Sequence, residues 1–459
     1  MDAFSCSVRY GDLAAAVELV EQGRAVFWTQ MVRFRTLSAS GGEALAKEFM
    51  QLSFSLRHAF NVSTENQPQS TQQLTMQLDD VISRIRMLPG LSRFLLPQLF
   101  PDLQEAARDG PVIIVNASQY GCDALIITST QDPVHIPLNV AQAEVSELSS
   151  EFQSTTERVG SSDHELESNK IMGILRKLWD CVVGPVLQVL TSRNLICHHS
   201  RIWWCPTAEF TLLPLHAAGP YKEKSHDEKR SHNLSHFCIS SYIPTLAELV
   251  RARQQVPRDA AVQHFVAIGQ ANPDGAKLLS SVDAELSIVT QRLAHILPFT
   301  QLADSNATVD GVVDALSRNH WLHLACHGMP NRKQPFESSF AMRDGPLTIR
   351  KIMESHWQDP EFAFLSACHT TVGDESSPDE AIHLAAAMQF SGFRSVIGSM
   401  WSVDDDVAHQ VVSAFYDNMV DGSGRMDCTH AAAALHKAVK ALRMKIPLEQ
   451  RIVFVHIGV

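Results

Sequence analysis

The chain has 459 residues, 45% apolar and 19% charged, an ordinary globular composition that at about 150 residues per domain gives two or three domains. Its 50 acidic side chains against 38 lysines and arginines leave a formal charge of −12, which argues against a protein built to grip phosphate backbones and suits basic partners. Nine cysteines with no C-x-x-C pair indicate neither a zinc ribbon nor a disulfide framework.

The first residues lack the basic stretch and apolar core of a secretory signal, and nowhere do about 18 apolar residues run uninterrupted. A soluble, cytoplasmic protein with reduced thiols, away from membrane and nucleic acid, is expected. From Leu13 to Phe60 apolar residues return at helical spacing: Val17, Leu19 and Val20, then Val26, Phe27, Met31 and Phe34, then Leu45, Phe49, Leu52 and Leu56. A helix starting almost at Met1 suggests the remaining end of a longer helical array, and residues 1–110 are expected to form a helical region. The polar stretch from Val62 to Gln73 predicts a loop before a helix over Leu74 to Met87.

The β-branched runs Val112 to Val115 and Ala124 to Ile127 predict neighbouring strands. A helix through Ile171, Leu175, Leu178, Val182 and Val186 leads to a strand at Ile202 to Trp204, and the mixed-charge stretch Gly219 to Asn233 predicts an exposed, easily nicked loop. After Phe265 strands and helices alternate regularly. The predicted strands are Phe265 to Ile268, Trp321 to Ala325, Phe362 to Ser366, Ser395 to Ser399 and Ile452 to Ile457, with one helix from Asp379 to Phe390. Apolar strands without alternation are buried on both faces, so the fold class is α/β: a mostly parallel sheet flanked by helices. Asp344-Gly345, between Phe340 to Met342 and Leu347 to Ile349, predicts a hairpin beside the mouth of the sheet.

Ligands of such sheets bind outside the carboxyl ends of the strands. One strand ends in Cys326-His327-Gly328 and another in Ala367-Cys368-His369. If the two are adjacent and parallel, an imidazole and a thiol face one crevice at the same height. His327 then activates the Cys368 thiol as a nucleophile toward an acyl carbon and protonates the departing amine. Gly328 lets the backbone approach the substrate, and its N–H with that of Cys368 serves as an oxyanion donor. This chemistry requires no metal or organic cofactor. His323 and His327, four apart on a strand, are too far separated to share an ion, and His323 at mid-strand suits a core histidine. Cys326 and His369 are neighbours an assay could confuse with the main pair, and Cys197-His198-His199 suits a surface cluster.

The order His-Gly then Ala-Cys, each closing a parallel strand, resembles the caspase-like cysteine peptidases, and the surrounding text is similar to their CHAT family, the branch related to separases. The matching stretches are RIWWCPTAEFTLLPLHAAG, HLACHGMP, FLSACHTTVGDE, DEAIHLAAAMQFSGFRSVIGSMWSVDDD and FVHIG, within about Pro111 to Val459. AVELVEQGRAVFWTQ near the start is similar to fungal members in which tetratricopeptide-like helices precede the CHAT domain. The resemblance implies His327 as general base, Cys368 as nucleophile, and Gly328 and Cys368 as oxyanion donors. It also implies an inactive pseudo-peptidase half, here 111–257, before an active half, 258–459. Ser366 stands where the caspase Q-A-C motif has glutamine, so an aspartate-directed pocket is not implied.

Asp404-Asp405-Asp406, just after a strand end, offers carboxylates for a basic substrate side chain. The resemblance favours Asp405 as the contact, and Asp404, Trp401 and Ser366 complete the candidate substrate-binding set. Acids that open a helix are also what a helix N-terminus prefers, and the two readings stand about even. The expected function is a cysteine endopeptidase cleaving a protein or peptide after a basic residue, with a regulatory protein held by the N-terminal helices. The alternatives are a catalytically silent CHAT scaffold and an enzyme held off until a partner rearranges the loops around Gly328 and Thr370.

Overall fold

The apolar runs without alternation become strands buried along their whole length, as at Phe265–Gly269, Trp321–Ala325 and Ser395–Ser399. The computed structural model describes residues 1–26, 28–29, 37, 42–61, 68–89, 91–157, 164–221, 233–255, 263–273, 278–355, 357, 359–371, 378–381, 383–422 and 424–459. Phe27, Met31 and Phe34 of the predicted second helix, and 222–232 of the predicted exposed loop, lie outside these residues. By contacts the chain divides into two units, Ala25–Leu99 and Met1–Arg24 with Phe100–Val459.

The larger unit is built on one sheet of eleven strands. In chain order its strands are β1 (Val112–Ser118), β2 (Gly121–Ile127), β3 (Val134–Leu138), β4 (Ser200–Pro206), β5 (Cys238–Tyr242), β6 (Phe265–Gly269), β7 (Phe299–Ala303) and β8 (Trp321–Ala325). β9 (Gly328–Met329), β10 (Ser339–Met342) and β11 (Gly345–Thr348) form a separate small sheet, and β12 (Phe362–Ser366), β13 (Ser395–Ser399) and β14 (Phe454–Gly458) return to the large one. Its spatial order is β3-β2-β1-β4-β5-β14-β13-β12-β8-β6-β7. Pairing is parallel from β1 through β4 and β5 to β14 and from β13 through β12, β8 and β6 to β7, and antiparallel for β1–β2, β2–β3 and β13–β14. The sheet therefore runs unbroken from residues before 257 into residues after it.

A buried guanidinium reinforces that continuity. Arg201 on β4 donates from Nη2 to the Gly458 carbonyl at 3.3 Å and lies 3.2 Å from His456 Nδ1, both on β14, with its face 4.5 Å from the Trp203 ring. Burial, then the neighbouring Arg253, pulls its pKa down to about 9, so it still carries charge at neutral pH.

Residues 1–110 are shared between the units. Ser5 on the helix Asp2–Tyr10 accepts hydrogen bonds from Asn116 Nδ2 at 3.1 Å and Ser118 Oγ at 2.9 Å on β1. Glu21 accepts from the Leu246 and Ala247 N–H groups, at 3.0 and 2.9 Å, at the start of the helix Leu246–Gln254. These side chains supply orphan polar groups with partners inside the sheet unit, which holds the first 24 residues there. In the smaller unit the helices Glu43–Asn61 and Pro68–Arg86 contribute to a core of Leu37, Ala46, Phe49, Val81, Ile85, Leu91 and Phe94.

The structure departs from the predicted elements in several places. The helix expected from Leu74 starts at Pro68, since the first turn needs no N–H from proline. β3, VHIPL, was not predicted, and its half-exposed alternating pattern fits an edge strand that tolerates Pro137. The helix expected over Asp379 to Phe390 becomes a short 3₁₀ turn, Pro378–Glu380, and an α-helix, Leu384–Phe390. His383 interrupts it as the N-cap, its Nδ1 accepting from the Ala386 N–H at 3.1 Å.

Candidate active site

β8 and β12 are adjacent, parallel and in register, Ala325 opposite Ser366, so the segments leaving them start at one height. After Ala325 the chain passes Cys326 and His327 and leaves the large sheet. Gly328 opens β9, which pairs antiparallel with β10, and the His327 carbonyl accepts from the Ala341 N–H at 2.9 Å. The β10–β11 hairpin anticipated at Asp344-Gly345 thus anchors the segment carrying His327.

After Ser366 the chain turns sharply. His369 lies in the left-handed region at φ +57, which is costly for a side chain other than glycine and is held here by the end of β13. Ser399 Oγ donates to the Ala367 carbonyl at 2.6 Å, the Ser399 N–H donates to Thr370 Oγ1 at 2.7 Å, and the Thr371 N–H donates to the Ser399 carbonyl at 3.0 Å. Ser399 thus pins both sides of Cys368, a role sequence reading missed because serine at a strand end carries no signal of its own. The Cys368 thiol is half-buried and donates weakly to the Val403 carbonyl at 3.9 Å.

Gly328 meets Cys368 directly. A Cβ built on Gly328 would stand 2.1 Å from the Cys368 carbonyl oxygen, so the glycine makes room for the backbone of the cysteine segment. His327 and Cys368 both line one cavity, ≈ 450 Å³ with its open mouth included, together with Ser366 and Val403. Its other wall is the start of the helix Val282–Leu293, including Glu285. A larger cavity, ≈ 1320 Å³ on the same measure, lies beside β5, β14 and the helix Ala431–Ala441 and holds neither reactive residue.

The neighbouring reactive groups separate clearly from this pair. His323 is fully buried, with Nε2 2.8 Å from Glu285 Oε1 and Nδ1 3.0 Å from the Tyr416 hydroxyl, a satisfied core histidine. Cys326 is buried, and burial, then Cys368, pushes its thiol pKa up, leaving it protonated and inert at neutral pH. His369 turns to a different pocket with Thr371 and Met400, its Nε2 3.3 Å from Ser402 Oγ; burial, then Arg332, lowers its pKa. The His198 and His199 rings stand edge to face at 4.1 Å beside His236, and Cys197 is exposed. Among the described residues no group of three or more His, Cys, Asp or Glu side chains is placed to hold a metal ion.

The substrate-binding candidates are scattered. Ser366 lines the cavity. Trp401 does not: it is 1% exposed, packs edge to face with Phe152 at 5.3 Å and donates its indole N–H to the Glu449 carbonyl at 3.1 Å, so its ring belongs to the core. Asp404 caps the helix Asp405–Met419, accepting from the Asp406 and Val407 N–H groups at 3.0 and 3.4 Å. Asp406 accepts from Ser281 Oγ at 3.4 Å, and the side chain of Asp405 lies outside the described part. Asp404→Ala is expected to cost about 1 kcal/mol of stability through loss of the cap, read as a lowered denaturation midpoint; an unchanged midpoint would show that the cap contributes nothing.

His383 makes the site's support sensitive to pH. Burial lowers its pKa to about 4, against a hydrogen bond with the Thr370 backbone that raises it. Between about pH 6.5, where an unfolded histidine titrates, and pH 4, the unfolded state binds a proton that the native one refuses. Stability is therefore expected to fall as pH falls through that window. His216, lowered to about 4 mainly by burial, acts in the same direction. Denaturant midpoints at pH 7 and 5 should differ less in His383→Asn, which keeps a capping side chain without the titration; an equal difference would remove His383 from the account.

The CHAT domain family matches residues 173–450, more than half of the chain. The chain belongs to the CHAT domain family. No curated protein matches it. Two crystal structures of the Saccharomyces cerevisiae separase–securin complex are similar to this CHAT protein, each with a TM-score of 0.52 and 10% identity, covering 87% and 89% of the chain. The chain spans about a third of the separase chains, 34% and 35%. The Arg-specific cysteine proteinase gingipain R also matches, with a TM-score of 0.40 and 10% identity over 76% of this chain and 77% of its own. The CHAT domain thus has a mixed α/β fold similar to that of separase, with a large, mostly parallel sheet flanked by helices. Among the described residues no helix is long and apolar enough to cross a membrane.

Proposed function

We propose that this CHAT protein is a cysteine endopeptidase that cleaves protein substrates after a basic residue. The observation that carries the reading is the single cavity lined by both His327 and Cys368. In the reaction His327 accepts the thiol proton as the Cys368 sulfur attacks the scissile carbonyl carbon, and the Gly328 and Cys368 N–H groups hold the oxyanion. The intermediate collapses as His327 returns the proton to the departing amine, leaving a thioester. Water, deprotonated by His327, then attacks the thioester, and the released acid restores the free thiol. The basic preference rests on the resemblance to separases. By likeness to separase, solved with securin, a protein partner is proposed to regulate the chain, with the N-terminal helices as its seat.

A positional-scanning peptide library digested by wild type and Cys368→Ala tests activity and specificity together. Cleavage after lysine and arginine that disappears in the variant is the expected result; cleavage by neither protein, or by both alike, overturns the reading. The Cys368 contact with the Val403 carbonyl favours a second reading, an enzyme held off until a partner moves that segment. Activity that appears only on partner addition would distinguish it.

A further inference from the structure

Glu285 is the one carboxylate among the described residues lining the cavity that holds His327 and Cys368. It sits in the first turn of the helix Val282–Leu293, 3% exposed, on the inward face with Val282, Leu286, Val289 and Leu293. The other positions on that face are apolar, and a buried charge there is costly unless it is partnered. The structure supplies a partner in His323. Tyr416 is fully buried, and burial, then Glu285, raises its pKa well above the ordinary value, so its hydroxyl keeps its proton. His323 bridges the two, its Nδ1 3.0 Å from the Tyr416 hydroxyl and its Nε2 2.8 Å from Glu285 Oε1. The chain Tyr416–His323–Glu285 holds the carboxyl group in place, and a carboxylate accepts more than one hydrogen bond.

The aspartates expected to read a basic side chain are otherwise engaged where they are described: Asp404 caps its helix and Asp406 accepts from Ser281. Neither lines the cavity. An ammonium or guanidinium entering beside Cys368 would meet in Glu285 the one described carboxylate of the cavity, a charge-assisted contact that an apolar side chain cannot make.

We propose that Glu285 is the specificity-determining carboxylate of the Cys368 cavity and pairs with the lysine or arginine side chain on the acyl side of the scissile bond. The proposal rests on the peptidase reading above and names the residue responsible for its basic preference. Its test uses the full chain and two peptides that differ only in arginine or its neutral isostere citrulline at that position, with kcat/KM measured for each. Wild type is expected to favour arginine. Glu285→Gln, whose amide can still hydrogen-bond with His323, is expected to lower the arginine-to-citrulline ratio at least about 10-fold. Because the ratio is internal to each variant, a reduced folded fraction cancels from it. Glu285→Asp keeps the charge but withdraws it by one methylene, and is expected to raise the arginine-to-lysine ratio, since arginine reaches further. A wild-type ratio in Glu285→Gln, or loss of the arginine preference in Asp405→Asn alone, overturns the proposal while the peptidase reading stands. Absence of Cys368-dependent cleavage, or a wild-type ratio near one, shows instead that the reading beneath it has failed.

Discussion

Cys368→Ala is expected to reduce turnover of a basic peptide by about 10⁴-fold or more, because no other described thiol in the cavity can replace it as nucleophile. Cys326 also lines the cavity but is buried, with its thiol held protonated. The same substitution removes one half-buried sulfur that makes a long 3.9 Å approach to the Val403 carbonyl, so the melting temperature should hardly move. His327→Ala should cost about 10²–10⁴-fold through loss of the proton carrier. The combined variant should lose little more than Cys368→Ala by itself, since groups acting as one unit are not additive. A covalent thiol probe located by peptide mapping checks the assignment independently: Cys368 should take the label, and labelling confined to Cys326 or to exposed Cys6 and Cys197 would count against it. Turnover surviving in Cys368→Ala ends the peptidase account.

The second large effect concerns a residue without chemistry of its own. Gly328→Ala should lower kcat by about 10²-fold, because the added methyl would start 2.1 Å from the Cys368 carbonyl oxygen and backbone must move to admit it. A displacement of about an ångström there separates the thiol from the imidazole segment, and overpacking should cost about 1–3 kcal/mol of stability as well. Gly173→Ala is the contrasting case. Gly173 lies in the helix His164–Leu178 with nothing near its Cβ position, so alanine there should be neutral or slightly stabilising through helix propensity. Normal kcat in Gly328→Ala, measured beside Gly173→Ala, would show that the two strand-end segments do not support one another.

Several of these outcomes turn on residues whose type was legible while their role was not. Gly328 stood out after a strand-end histidine, and backbone approach to a substrate was the expected reason; the structure gives it a nearer neighbour, the Cys368 carbonyl. Trp401 and Asp404 were both read onto the rim because they follow a strand end. The indole instead fills the core and the carboxylate satisfies N–H groups of its own helix, since a large aromatic gains most by burial and a helix start leaves donors unmet. Glu285 could not be singled out at all. An acid in a first helical turn is ordinary, and only the fold brings it to His323, 38 positions later in sequence, and to the cavity of Cys368.

The sequence by itself determined the alternation of apolar strands and helices, the parallel character of the sheet and the strand ends at which His327 and Cys368 emerge. Those are local matters: an unbroken apolar run cannot remain in water, and a polar residue at its end must lie at the sheet's rim. Tertiary structure decided that β8 and β12 are neighbours in register, that Met1–Arg24 joins the sheet unit, and which carboxylate stands in the cavity. Such pairings depend on distances between segments far apart in the chain, and burial energy rewards apolar contact without naming the partner.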